Sequence, residues 1–183
     1  MNTLPIKDMS NTFIEHSMVI NNFVMNVGLQ LKSSLCRVFG DSVKYKWPEN
    51  GNQPVIPDVS INCDIKNRRS TTFLGVPKFI MEVLSDSTEK RDRKEKMELY
   101  KAVEVAEYWL VDWRKKQVEI YLLVTDENSI DTIDYKLVNV ITEANKEELK
   151  IHVFPNVTIT FEHALRLQAQ SEHRLSIKCI NIF

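Results

Sequence analysis

The chain has 183 residues, 43% apolar and 27% charged, which fits one globular domain over residues 1–183 with a single sizeable core. Its net charge of −1 excludes a chain-wide field that would draw it to nucleic acid, so any such attraction must come from local patches. No apolar run approaches the length needed to cross a bilayer, and the opening segment, with Lys7 and Asp8, lacks the apolar stretch of a signal peptide.

Cys36, Cys63 and Cys179 are odd in number, widely separated and without a Cys-x-x-Cys pair. They read as reduced thiols of a cytoplasmic protein, not as a disulfide frame or a zinc site. Residues 12–39 read as one long amphipathic helix, with Ile20, Val24, Val27, Leu31, Leu35 and Val38 at helical spacing. Gly40-Asp41 ends it. Val43, Tyr45 and Trp47 then alternate with Lys44 and Lys46, the pattern of a half-buried strand. Residues 48–52 (Pro-Glu-Asn-Gly-Asn) predict a turn.

The next strand carries Val59, Ile61 and Cys63 on one face, with Asp58 at its mouth and Pro57 where no ladder donor is needed. Lys66-Asn67-Arg68-Arg69-Ser70 makes a basic loop. Residues 78–84 are the most apolar strand, expected at the centre of a sheet covered on both faces. Asp86 with Glu89 fits a capping box opening a helix over 87–103. Strands over 107–112 and 117–124 follow, joined by the charged turn Trp113-Arg114-Lys115-Lys116. Further strands are expected at 134–140, 148–154 and 157–161, and a short helix near 162–171. The order predicts an α/β or α+β fold around a mixed sheet.

Within Phe79-Ile80-Met81-Glu82-Val83-Leu84, an acid interrupts an apolar strand. A buried carboxylate costs several kcal/mol unless it is paired, protonated or bound to metal. Asp58, 24 residues earlier, supplies a partner at the mouth of the preceding strand. Cleavage of phosphodiesters at such a pair needs a nearby cation, and Leu84 stands where a strand lysine would be. On the following helix Asp92, Lys96, Tyr100 and Val103 share one face, while Lys90, Lys94, Glu98 and Lys101 share a charged one. Lys96 is therefore the inward lysine. Taken singly, Glu82 could answer a structural cation, Asp58 could be a strand-entry residue and Lys96 could snorkel to water. Each nevertheless sits where a metal site requires it.

Four strings carry a resemblance: Pro57-Asp58-Val59-Ser60; Phe79-Ile80-Met81-Glu82-Val83-Leu84-Ser85-x-Ser87-Thr88; Arg91-Asp92-Arg93-x-x-Lys96-x-x-x-Tyr100; and Glu107-Tyr108-Trp109-Leu110-Val111-Asp112. Over about residues 12–170 the chain resembles the Uma2 family (DUF820) of restriction-endonuclease-like proteins. The resemblance implies a PD-(D/E)xK nuclease fold, a mixed central sheet flanked by helices. It also implies Asp58 and Glu82 as carboxylate ligands of Mg²⁺ or Mn²⁺, the Val83 carbonyl as a further ligand, and Lys96 assisting an attacking water. Asp92, Tyr100 and His16 at the first helix fit as supporting residues. The chain departs from the family at Asp86, where proline is common, and at Val103-Glu104-Val105, which replaces a glycine-containing turn.

The implied function is a metal-dependent endonuclease acting on DNA, with a homodimer implied by the nuclease resemblance. Lys66, Arg68 and Arg69 in one loop and Arg114, Lys115 and Lys116 in another are candidate phosphate contacts. Tyr108, Trp109, Trp113 and Tyr121 on the 107–124 hairpin could offer a dimer surface. The alternatives are a catalytically silent nuclease-like module that binds nucleic acid or protein, and a phosphoesterase with a small diester substrate.

Overall fold

The structure, a computed structural model, describes residues 14–125 and 133–165. Helix α1 (Ile14–Leu31) buries Val19, Ile20, Phe23, Val27 and Leu31. The expected helix to residue 39 stops at Leu31, and Leu35 is 84% exposed. Ser34 explains the stop: its hydroxyl donates to the Leu31 carbonyl and accepts from the Cys36 N–H, replacing helical bonds with local ones. Arg37 also donates to the Leu31 and Cys36 carbonyls, closing the helix end with a cation.

Strands β1 (Arg37–Phe39), β2 (Lys44–Lys46), β3 (Pro54–Val55), β4 (Val59–Asn62), β5 (Arg68–Arg69), β6 (Thr72–Phe73) and β7 (Phe79–Val83) follow. The next helix runs through α2 (Glu89–Arg91), a wider π-helical turn (Asp92–Lys96) and α3 (Met97–Ala102). After it come β8 (Glu107–Asp112), β9 (Gln117–Thr125), β10 (Ile133–Ile141) and α4 (Phe161–Leu165). Among the described residues, 148–154 and 157–161 form no strand; a 3₁₀ segment (Glu143–Glu148) capped by Thr142 precedes them. Ile151, Val157 and Ile159 are buried all the same, because the buried Glu107 carboxylate takes the Val153 N–H and pins this irregular segment to the sheet. Part of the helix expected near 162–171 lies outside the described residues.

The main sheet is mixed, in the order β1-β4-β7-β8-β9-β10. Strands β7 and β8 are parallel, joined by the 89–102 helix, and the other neighbours are antiparallel. Every residue of β7 is buried, as a central strand covered on both faces must be. Phe79, Met81 and Val83 point into the core under α1; Ile80 and Leu84 point into a second core with Tyr100, Val105 and Tyr108. A smaller sheet, β3-β2-β6-β5, brings Tyr45, Trp47, Val55 and Phe73 into that second core. Its strand β3 ends at Val55, so only Ile56 and Pro57 separate that strand from Asp58.

Two further expectations are corrected. Cys36 and Cys63 are joined as a disulfide, because antiparallel pairing of Arg37 with Asn62 sets the flanking positions opposite each other. Cys179 lies outside the described residues. Asp86 and Glu89 form no capping box: Thr88 holds the N-cap position without a side-chain cap, while Asp86 pairs with Arg114 and Glu89 with Arg93 and Arg114. Among the described residues no helix is long and apolar enough to cross a membrane.

Candidate active site

Alternation along β7 turns Glu82 to the same side as Ile80 and Leu84, under the 89–102 helix. The antiparallel register of Val59 with Met81 sets Asp58 beside Glu82 at the end of the β4–β7 ladder. The Asp58 N–H donates to Glu82 Oε2 at 3.3 Å, and the Val83 N–H donates to Asp58 Oδ2 at 2.7 Å. His16 reaches in from α1, its Nε2 3.2 Å from Asp58 Oδ2, while its Nδ1 is buried and without a partner among the described residues. In an extended strand the N–H and C=O of one residue project to the same side, so the Val83 carbonyl also faces Asp58.

The helix supplies the rest. Lys96 Nζ sits 2.8 Å from Glu82 Oε2 and 2.9 Å from Asp92 Oδ1, and only 13% of its side chain is exposed. Tyr100 donates to Glu82 Oε1 at 2.6 Å, a charge-assisted bond inside the core. The π-helical turn lies between these groups, so both Asp92 and Lys96 sit on a widened turn that faces β7. Trp47 meets Tyr100 edge-to-face at 6.4 Å and supports it from the small sheet. The sequence signals this partner only through the Tyr45/Trp47 alternation, which shows burial without saying against what.

Burial pushes the Glu82 carboxyl up to about 8; Lys96 opposes that rise, and the charges of Asp58 and Asp92 add to it. For Lys96 burial works against the charged form, but Glu82 and Asp92 outweigh it and the ammonium is held above its ordinary value. Three carboxylates share one ammonium, so a proton taken up by the cluster goes to Glu82 and Lys96 stays a cation. His16 follows the same logic: burial lowers it, yet the hydrogen bond and charge of Asp58 raise it overall.

This surplus of negative charge is what a divalent cation would neutralise. The donor set fits such an ion: it is all oxygen, and Asp58 keeps Oδ1 without a partner among the described residues. Among those residues no group of three or more acidic, histidine or cysteine side chains is placed to hold a metal ion by itself. Two carboxylates and a backbone carbonyl would supply only part of an ion's coordination, leaving the rest to water and substrate phosphates as Mg²⁺ favours.

The remaining candidates divide. Lys66, Arg68 and Arg69 are exposed around the small sheet, but Arg114 is held by Asp86, Glu89 and Asp112, and Lys115 by Asp112. Those ion pairs neutralise much of the 113–116 turn. Tyr108 and Trp109 are fully buried, while Trp113 and Tyr121 are partly buried against the two cores, so two of the four hairpin aromatics are core residues.

Comparison with known proteins agrees with this architecture. A crystal structure of "a putative nuclease belonging to DUF820" from Anabaena variabilis superposes with a TM-score of 0.62 at 16% identity, covering 83% of this chain and 80% of that one. The uncharacterized protein slr1290 of Synechocystis is 41% identical over 87 residues, 47% of this chain; the match spans 45% of that protein's length. The Uma2 family model, described as "Putative restriction endonuclease", matches residues 5–162. With the mixed sheet, the helix that follows Glu82 and a match over most of its length, the chain belongs to the Uma2 family.

Proposed function

We propose that this protein is a divalent-metal-dependent endonuclease that hydrolyses phosphodiester bonds of DNA. One observation carries the reading: the lysine chosen by helix register lies 2.8 Å from a buried strand carboxylate that is hydrogen-bonded to Asp58. Asp58 and Glu82, with the Val83 carbonyl, would hold Mg²⁺ or Mn²⁺. Such an ion supplies Lewis-acid polarisation of a phosphate and lowers the pKa of water.

The chain's own residues set the stage for that chemistry. The Val83 N–H and His16 fix the Asp58 carboxylate, and Tyr100 fixes that of Glu82. Asp92 holds the Lys96 ammonium at the carboxylate pair, where it would orient the attacking water and meet charge developing on the phosphate.

A cleavage assay on plasmid or oligonucleotide DNA with Mg²⁺ or Mn²⁺ tests this. Wild type should cut, and Glu82→Gln and Lys96→Ala should each lose at least about 100-fold, the size of a positioned catalytic group. Activity that survives both substitutions would rule the mechanism out.

The second reading, a silent nuclease-like module, draws on the way Glu82 spends both oxygens on Tyr100, Lys96 and the Asp58 N–H. It predicts no heat of Mg²⁺ or Mn²⁺ binding in wild type beyond that in Asp58→Asn. Metal-specific heat lost in Asp58→Asn decides for the nuclease.

A further inference from the structure

We propose that the outer face of the small sheet is a cradle for the phosphate backbone of a nucleic-acid duplex; this deepens the nuclease reading and rests on it for the identity of the polyanion. Strand register assembles the face from residues far apart in sequence. Lys44 lies beside Thr72, and Thr72 beside Arg69, while Lys46 lies beside Pro54. Cross-strand neighbours project to the same side of a sheet, so Lys44, Lys46, Thr72 and Arg69 share one face. The opposite face is Tyr45, Val55 and Phe73, all turned into the core. Adjacent strands are about 4.8 Å apart, which puts the backbones bearing Lys44 and Arg69 about 10 Å apart.

Lys46 and Arg69 line a depression of about 340 Å³ together with Asn52, Thr72 and Leu74. Two cations with hydroxyl and amide groups beside them in a concavity match the donors that position a duplex backbone. Lys44, Lys46 and Arg69 are exposed, and none holds an ion pair among the described residues. Arg93, Lys101, Arg114 and Lys146, by contrast, each bind two or more carboxylates. Three exposed cations without a carboxylate partner among the described residues therefore share this one small face.

That face is close to the carboxylates. Pro54, the neighbour of Lys46, precedes Asp58 by four residues, so their Cα atoms lie within about 14 Å, the rise of about four nucleotides. The pleat also separates two arginines that the sequence presents as one basic run. Arg69 joins the cradle, whereas Arg68, beside Phe73, faces a different depression lined by Phe39 and Ser70.

The test is binding of a fluorescent DNA duplex, in chelator, across a salt series. The Lys44→Ala/Lys46→Ala/Arg69→Ala variant should bind more weakly, with a log K against log [salt] slope shallower by about 0.9 per lost contact. Lys46→Gln and Arg69→Gln singly should each take about one such step, which covers a triple variant that fails to fold. Arg68→Ala should leave the slope near wild type. An unaltered slope in the triple variant or in both single variants overturns the cradle, as does Arg68→Ala matching Arg69→Gln. Vesicles of phosphatidylserine and phosphatidylcholine form a separate arm, and binding to them but not to duplex also overturns it. Cation-dependent duplex binding by a protein that never cuts leaves the cradle standing and removes the catalytic reading. Cutting with an unaltered slope in the triple variant does the reverse.

Discussion

Glu82 is the residue whose environment does most to set the behaviour of the molecule with pH. Its ordinary value is 4.5 and burial pushes it to about 8, so between those limits the folded protein holds a proton that the unfolded chain releases. Stability from this group is therefore complete at low pH and lost as pH rises towards 8. His16, raised by Asp58, has the same sign, its contribution being lost as pH rises through its folded value. Thermal midpoints in chelator should fall from pH 5.5 to 8.5, and Glu82→Gln should flatten that fall; an unchanged slope would show that Glu82 titrates normally. If Glu82 holds the ion as proposed, protons and Mg²⁺ would compete for one carboxylate, so added Mg²⁺ should raise the midpoint more at pH 8 than at pH 6. Asp58→Asn should abolish that difference.

At the scale of elements, the helix that carries Lys96 was legible because its residues follow a register. Asp92, Lys96 and Tyr100 are four apart and all meet the site, and the wider turn among them leaves that face intact. The end of the helix was less legible. Val105 N–H donates to the Tyr100 carbonyl and Glu104 N–H to that of Lys101, a Schellman closure that sets Glu104 at φ +64°. Glycine suits that position, and Glu104 is where the sequence departs from the family's glycine-containing turn. Glu104→Gly should stabilise the protein by about 0.5–1 kcal/mol in denaturant titration, the left-handed penalty less glycine's entropy. A destabilised variant would show that the Glu104 side chain has a role of its own. The segment 148–161 misled for another reason. Its apolar residues are buried, but by a carboxylate that holds the chain irregularly, and apolar spacing cannot report a bond to Glu107.

Across the whole molecule, the sequence showed the acids and the lysine but not what the register of distant strands brings together. The Cys36–Cys63 link and the Lys44–Thr72–Arg69 row both depend on strand pairings that no local pattern encodes. The link joins residues 27 apart in sequence, for which chain entropy gives about 3.5 kcal/mol. Reductant, or Cys36→Ser, should lower the thermal midpoint by about 7–14 °C in a chain of this size. Thiol titration of the native protein should find fewer reactive groups than after denaturing reduction; equal counts would show the two cysteines unlinked.

The short join between the two sheets has a mechanical meaning. Ile56 and Pro57 alone separate the end of β3, a strand of the small sheet, from Asp58, and proline stiffens the joint. If the small sheet grips the duplex and Asp58 helps to cut it, these two residues are a ruler that sets the distance between grip and cut. Lengthening the ruler with a glycine after Ile56 should leave duplex affinity in chelator unchanged while cleavage falls or its position along the strand shifts. An insertion that alters neither would mean that the two sheets work without a common measure.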